Sequence, residues 1–195
     1  MTSKGALERL TKVVKLYNID FVALQEPFFK SNKVDKFRRR LGFDHAISNS
    51  HSKVWIFWNT NIVCSVISKT RQQVTLQVDW QRSTYMSWIT IVYARSRANK
   101  RKHLWQKLRD LNSIIDGPWV IGGDFNSIME AEEKKWGASF RLSTCLDFIN
   151  CMDDCGMTDA GFVGNIHTWC NGRGGTGRIH MRLDRLFHNE EWATR

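Results

Sequence analysis

Three carboxylates stand where short apolar runs end or pass. Glu26 follows Phe21-Val22-Ala23-Leu24, Asp124 follows Trp119-Val120-Ile121-Gly122, and Asp184 lies inside Met181-Arg182-Leu183-Asp184-Arg185-Leu186-Phe187. Short apolar runs read as buried strands, and strand ends are where α/β sheets hold their ligands. A carboxylate beside a buried strand costs free energy unless it is paired or bound to a cation, so three of them point to a shared divalent ion. The competing reading of each acid is an ion pair with a nearby base. It is strong for Asp184, which Arg182 and Arg185 flank, and weaker for Glu26 and Asp124, which have no Lys or Arg within three positions. Asn126, in Gly122-Gly123-Asp124-Phe125-Asn126, adds a hydrogen-bond donor that an acid lacks, and the two glycines permit close backbone approach. Tyr93, closing Ile89-Thr90-Ile91-Val92, is a further candidate donor. A hard cation, a carboxylate that orients water and neutral donors for developing negative charge are the set that phosphodiester hydrolysis requires.

These residues need a scaffold, and the hydrophobic pattern supplies one. Leu7, Leu10, Val14 and Tyr17 recur at helical spacing until Asn18-Ile19-Asp20, a second helix is expected over Lys33 to Leu41, and Leu104, Trp105, Leu108, Leu111 and Ile115 give a third that ends at Gly117-Pro118. Leu142 to Met152 reads as a fourth. Lys53 to Trp58, Ile62 to Ile67, Val74 to Trp80 and Tyr85 to Tyr93 read as strands, and the tail from His167 to Trp192 as two strands around the Gly-rich turn 171–175. Strands alternate with helices early and cluster in the middle, so the expectation is a layered α/β domain with mixed sheets.

Charge points to the substrate class. The chain of 195 residues carries a net charge of +10, and two stretches hold more than all of it: seven bases and no acid between Arg95 and Arg109, and six bases with one acid between Lys30 and Arg40. Focal basicity (Arg95, Arg97, Lys100, Arg101 and Lys102 in the first stretch) fits a polyanion backbone contacted without base reading. A solvated helix face is the competing reading. With 42% hydrophobic residues and nine Trp, composition argues against a disordered chain. No run approaches the ~18 apolar residues of a membrane span, and nothing at the start has the form of a secretory signal. The five cysteines include no Cys-x-x-Cys pair, which suggests reduced thiols in an intracellular compartment. A zinc set of Cys151, Cys155, His167 and Cys170 has no standard spacing.

The run Ala23-Leu24-Gln25-Glu26-Pro27, the strand end Val92-Tyr93-Ala94, the segment Trp119 to Asn126 and Arg182-Leu183-Asp184-Arg185-Leu186-Phe187 together resemble the endonuclease/exonuclease/phosphatase family. The intervening residues 92–108 and 167–192 resemble most the endonuclease domains of plant non-LTR (LINE-type) retrotransposons. The resemblance implies a DNase I-like four-layer sandwich, two mixed sheets face to face with helices outside, spanning 1–195 as a single partial domain. It implies Mg²⁺ (or Mn²⁺) as cofactor, DNA as substrate, a monomer with no membrane contact, a reverse transcriptase domain as partner in the full-length element, and a nuclear location. By the family pattern Glu26 binds the metal, Tyr93 contacts the scissile phosphate, Asp124 orients or deprotonates the water, Asn126 stabilises the transition state and Asp184 supports the site. Trp169 and Arg178 fall on the side that meets DNA.

Two family features are missing. Members open with a strand bearing a metal-site Asn and close with a Ser-Asp-His motif, and neither occurs in the sequence. His188 does not replace the lost His, because four strand residues separate it from Asp184 by ~13 Å. The expectation is therefore a copy truncated at both ends, lacking the first and last strands, with weak or no activity. Two alternatives are a nucleic-acid-binding remnant and a phosphatase acting on a small phosphoester.

Overall fold

The computed structural model describes residues 4–81 and 85–194. Along the chain run α1 (Lys4–Leu16), β1 (Phe21–Gln25), α2 (Val34–Leu41), β2 (His45–Ser48), β3 (Val54–Trp58), β4 (Ile62–Lys69), β5 (Gln73–Trp80) and β6 (Met86–Tyr93). There follow α3 (Ala98–Asn112), β7 (Trp119–Asp124), β8 (Lys134–Lys135), α4 (Leu146–Asp154), β9 (Thr158–Asp159), β10 (Trp169–Cys170), β11 (His180–Met181), β12 (Asp184–His188) and α5 (Glu190–Ala193). The chain forms two compact units, residues 1–91 and 92–195, with the boundary inside β6.

In the first unit β3 is central to the sheet β1-β3-β2 and antiparallel to both neighbours. Its run Val-Trp-Ile-Phe is wholly buried, as the apolar pattern without polar alternation demands. Trp55 and Phe57 pack with Val14 of α1, Phe37 and Leu41 of α2, and Phe43, while Leu7 and Leu10 close over them. Asn18, at φ +47°, and Gly42, at φ +87°, take the left-handed conformation just beyond α1 and α2, which is how helices of this kind stop. Strand β2 carries no apolar alternation, and the sequence reading passes over it. β4 and β5 form an antiparallel hairpin with a bulge between Val66 and Ser68, and β6 lies next to β5.

The second unit is built around stacked aromatics. Phe125 lies 5.0 Å from Phe148 of α4 and 5.3 Å from Phe187 of β12, and Trp105 of α3 lies 5.0 Å from Phe148, ring centre to ring centre. β12 pairs antiparallel with β7 on one side and β9 on the other, and β10-β11-β8 form a separate small antiparallel sheet. The ends of β6 and β7 meet where Ala94 N–H donates to Asp124 O (2.8 Å), the parallel arrangement that a crossover through α3 produces. Two expected boundaries shift. α3 stops at Asn112, with Ile115 beyond it on a last hydrogen bond to Leu111 O, and the fourth helix begins as a short 3₁₀ turn at 142–144 before α4. The tail contains the expected pair as β10 and β11, followed by β12 and by α5, whose first turn Asn189 caps by accepting from Trp192 N–H (3.1 Å).

Candidate active site at the ends of β7 and β12

β7 ends on Asp124 and β12 begins on Asp184, and the pairing register places these two residues directly opposite one another. Side chains of directly opposed residues leave an antiparallel pair on the same face, so two carboxylates share one edge of the site. The opposition is enforced from behind. Phe125, fully buried among the aromatics, fixes the residue after Asp124, and its N–H donates to Leu183 O (2.9 Å). Thr168 Oγ1 accepts the N–H groups of both Leu183 and Asp184 at 3.0 Å. Thr168 is a positioning residue that sequence reasoning missed, since nothing in His167-Thr168-Trp169 marks it.

The arginines that flank Asp184 do not pair with it. Arg182 and Arg185 reach instead into a buried network with Glu133 and Asp159: Arg182 to Glu133 at 3.3 Å and to Asp159 at 2.7 Å, Arg185 to Asp159 at 2.8 Å and also to Glu133. The competing reading of Asp184 as half of a local ion pair is thereby displaced, and Asp184 stays exposed. Burial pushes the Glu133 carboxyl upward, but the hydrogen bond from Arg185 and the backbone N–H groups of Met129 and Glu130 outweigh it and hold the group below its ordinary value.

Asn126 adopts φ +48°, a conformation Asn tolerates better than most residues. Its backbone N–H donates to Asp124 Oδ1 (2.8 Å), and its Nδ2 donates to Ala94 O (2.8 Å) and to Asp124 Oδ2 (3.2 Å). Both amide hydrogens are engaged, so the role that this structure gives Asn126 is to orient Asp124 and to tie it to the end of β6. Tyr93 is the residue before Ala94 and so belongs to the same end of the sheet.

Glu26 lies in the first unit, immediately after β1, at φ +45°. The register Gln25↔Val54 brings it beside Lys53, whose O accepts Glu26 N–H (2.9 Å) and whose Nζ lies 3.1 Å from Glu26 Oε1. The ion pair that distance along the chain argued against is therefore present, made by a residue 27 positions away on the neighbouring strand.

Of the basic stretch, Arg95, Arg97, Lys100 and Lys102 are exposed. Arg101 departs from the expected phosphate-contacting surface. It is 6% exposed and its Nη1 donates to Arg95 O (3.2 Å) and Ser96 O (2.9 Å), bracing the turn between β6 and α3. Burial pulls its guanidinium below the ordinary value, while the negative charges of Asp124 and Asp147 act the other way, so Arg101 stands as a fixed positive charge near Asp124. Trp169, on β10, is 39% exposed, and Arg178 is exposed with its Nε donating to Arg173 O (3.1 Å).

Among the described residues, no three His, Cys, Asp or Glu side chains are grouped to hold a metal ion. The zinc set is not assembled, and Cys151 instead donates to Trp105 O (3.3 Å) inside the core. The Asp124/Asp184 pair fits a less demanding cation: Mg²⁺ keeps several waters and asks the protein for one or two carboxylates plus substrate phosphate.

An α/β scaffold of sheets with helices, carrying carboxylates at strand ends, is the architecture of DNase I-like proteins. A model of the Endonuclease/Exonuclease/phosphatase family matches residues 3–195, and the chain belongs to that family of phosphoester hydrolases. No curated protein matches the sequence. Among solved structures, the chain is similar to the endonuclease domain of TRAS1, a telomere-specific non-LTR retrotransposon, with a TM-score of 0.74 at 14% identity over 98% of this chain and 83% of that one. It is similar to D. rerio TDP2 complexed with a single-strand DNA product (TM-score 0.64, 16% identity, 94% and 76% covered). The human Nocturnin catalytic domain matches with a TM-score of 0.61 at 14% identity, 96% and 76% covered. Likeness at such identities is one of fold. Among the described residues no helix is long and apolar enough to cross a membrane.

Proposed function

We propose that the chain is a divalent-metal-dependent endonuclease of the retrotransposon type that hydrolyses phosphodiester bonds of DNA slowly, acting as a monomer in the nucleus beside a reverse transcriptase. The observation that carries this reading is the direct opposition of Asp124 and Asp184, with Asn126 bonded to Asp124. The single family match that runs through both units supports treating them as one domain. Asp124, held by two hydrogen bonds from Asn126, orients the attacking water and takes its proton. Asp184 supplies the second carboxylate and Tyr93 hydrogen-bonds the scissile phosphate; Glu26, the metal ligand by the family pattern, is paired with Lys53. Mg²⁺, when bound, neutralises phosphate charge and eases departure of the leaving oxygen. The exposed Arg95, Arg97, Lys100 and Lys102 hold the DNA backbone.

Nicking of supercoiled plasmid in Mg²⁺ tests the proposal. Slow conversion to the open circle, lost in Asp124→Asn, is expected, and nicking by the variant at the parent rate overturns it. A second reading, nucleic-acid binding without cleavage, is favoured by the Glu26–Lys53 ion pair and by the engaged Asn126 amide. Salt-dependent DNA binding with no nicking in Mg²⁺ or Mn²⁺ is its signature. Turnover of inositol phosphates and none of DNA would favour a small phosphoester substrate instead.

A further inference from the structure

The small sheet β10-β11-β8 carries a charge pattern that counting along the chain conceals. Residues 134–141 and 160–183 contain no Asp or Glu, and they supply Lys134, Lys135, Arg141, Arg173 and Arg178 besides Arg182, which Glu133 and Asp159 pair. The pairing His180↔Lys135 and Met181↔Lys134 brings these two segments together. At the end of β8 the backbone turns sharply: Trp136 has φ +66° and Gly137 φ +79°. A left-handed Trp is an outlier, because a bulky side chain raises the cost of that conformation. The turn leaves no room for a side chain at Gly137, where a Cβ would stand 2.8 Å from Ile179 Cδ1. Its result is an indole 53% exposed to solvent. Lys135 Nζ lies 4.5 Å from the ring centre, and the His180 ring is tilted against the indole at 5.6 Å.

We propose that Trp136, with Lys135 and His180, forms a stacking site for an unpaired nucleobase of single-stranded DNA. The inference rests on the nuclease reading for its substrate but not for its test. An exposed indole with Lys135 against its ring, on a segment 134–141 that carries bases and no acid, suits a ligand that is both aromatic and anionic, which a nucleotide is and an apolar protein surface is not. Lys135 is exposed on a flexible stem, so it can leave the indole for a phosphate while the base takes the ring face. Stacking on a base is the stronger of the two contacts with the ring. Four residues separate His180 from Asp184, at most ~13 Å of extended chain, so a base held at Trp136 lies within a few nucleotides of the proposed cleavage site.

Anisotropy titration in EDTA tests this without any cleavage. The probes are a duplex with a short thymidine overhang, the same duplex with abasic residues in the overhang, and the blunt duplex. Trp136→Ala should weaken the thymidine probe about tenfold, a typical stacking loss, and leave the abasic and blunt probes unchanged, while Trp136→Phe retains most of the parent affinity. Equal affinity of Trp136→Ala and parent for the thymidine probe, or an equal loss on all three probes with unchanged circular dichroism, overturns the proposal. A chain that never nicks plasmid yet shows the base-dependent loss keeps the stacking site and discards the nuclease.

Discussion

Asp184, the first residue of β12, stands directly across from Asp124, the last residue of β7. Two like charges opposed on one face repel, typically by a few tenths to ~1 kcal/mol, unless a cation lies between them. Neutralising Asp184 should therefore raise the thermal midpoint in EDTA while removing function. Asp124→Asn should lower nicking at least ~100-fold, as loss of a general base does, and Asp184→Asn should stabilise the apo protein and blunt the stabilisation that added Mg²⁺ confers. Calorimetric scans with and without Mg²⁺ read both effects.

Asn126 combines a left-handed backbone with side-chain bonds to Ala94 and Asp124. Comparing Asn126→Ala with Asn126→Gly separates the two contributions. Both lose the amide bonds, but only alanine retains the φ penalty, so the alanine variant should be the less stable by about 1 kcal/mol in urea denaturation. Both should lose nicking activity to a similar degree.

Arg101 and Lys102 are neighbours in sequence with opposite expected behaviour. Arg101→Ala removes a buried guanidinium that holds two carbonyl groups, and the loss of such charge-assisted bonds should cost roughly 2 to 4 kcal/mol in chemical denaturation. Lys102→Ala should leave the midpoint unchanged. It should weaken DNA binding on every sequence alike and reduce the salt slope by about 1.

Glu133 is buried among Arg182, Arg185 and two backbone N–H groups. Its folded pKa lies below the unfolded value of about 4.3, so its contribution to stability is present above that pH and is lost as pH falls through the lower folded value. Glu133→Gln strands buried arginine charge and should destabilise by about 3 kcal/mol at pH 7. The variant should also show a flatter decline of stability below pH 4.5 than the parent, followed by urea midpoints across the acid range.

The Glu26–Lys53 pair is more than a third exposed on both sides, so its removal should barely change stability. Its functional effect is larger if Lys53 competes with a cation for Glu26. Lys53→Ala should then lower the Mg²⁺ concentration that half-saturates nicking, and Glu26→Gln should raise it.

Much of the scaffold is legible in the residues because local burial patterns dictate it. The wholly apolar 54–57 is a central strand, and Leu104, Trp105, Leu108 and Leu111 bury one face of α3, each as the periodicity implies. The short strands β2, β8 and β9 escaped, since strands of two to four residues carry too little pattern to detect and exist only because a neighbour pairs with them. The linear charge count placed basicity at 30–40 and 95–109 and missed the third patch, whose halves lie some 40 residues apart and meet only through the β11–β8 ladder.

The sequence by itself determined the family, the longer elements and the presence of three acids after or within apolar strand-like runs, because motif spacing and hydrophobic period are local properties. Tertiary structure alone decided the partners of those acids: Asp184 faces Asp124 rather than its flanking arginines, Glu26 meets Lys53 across a strand pair, and Arg101 turns inward. Ion pairs and cross-strand opposition depend on register, and register is fixed by which backbone groups pair and which side chains must be buried, relations between residues that no stretch of chain contains on its own.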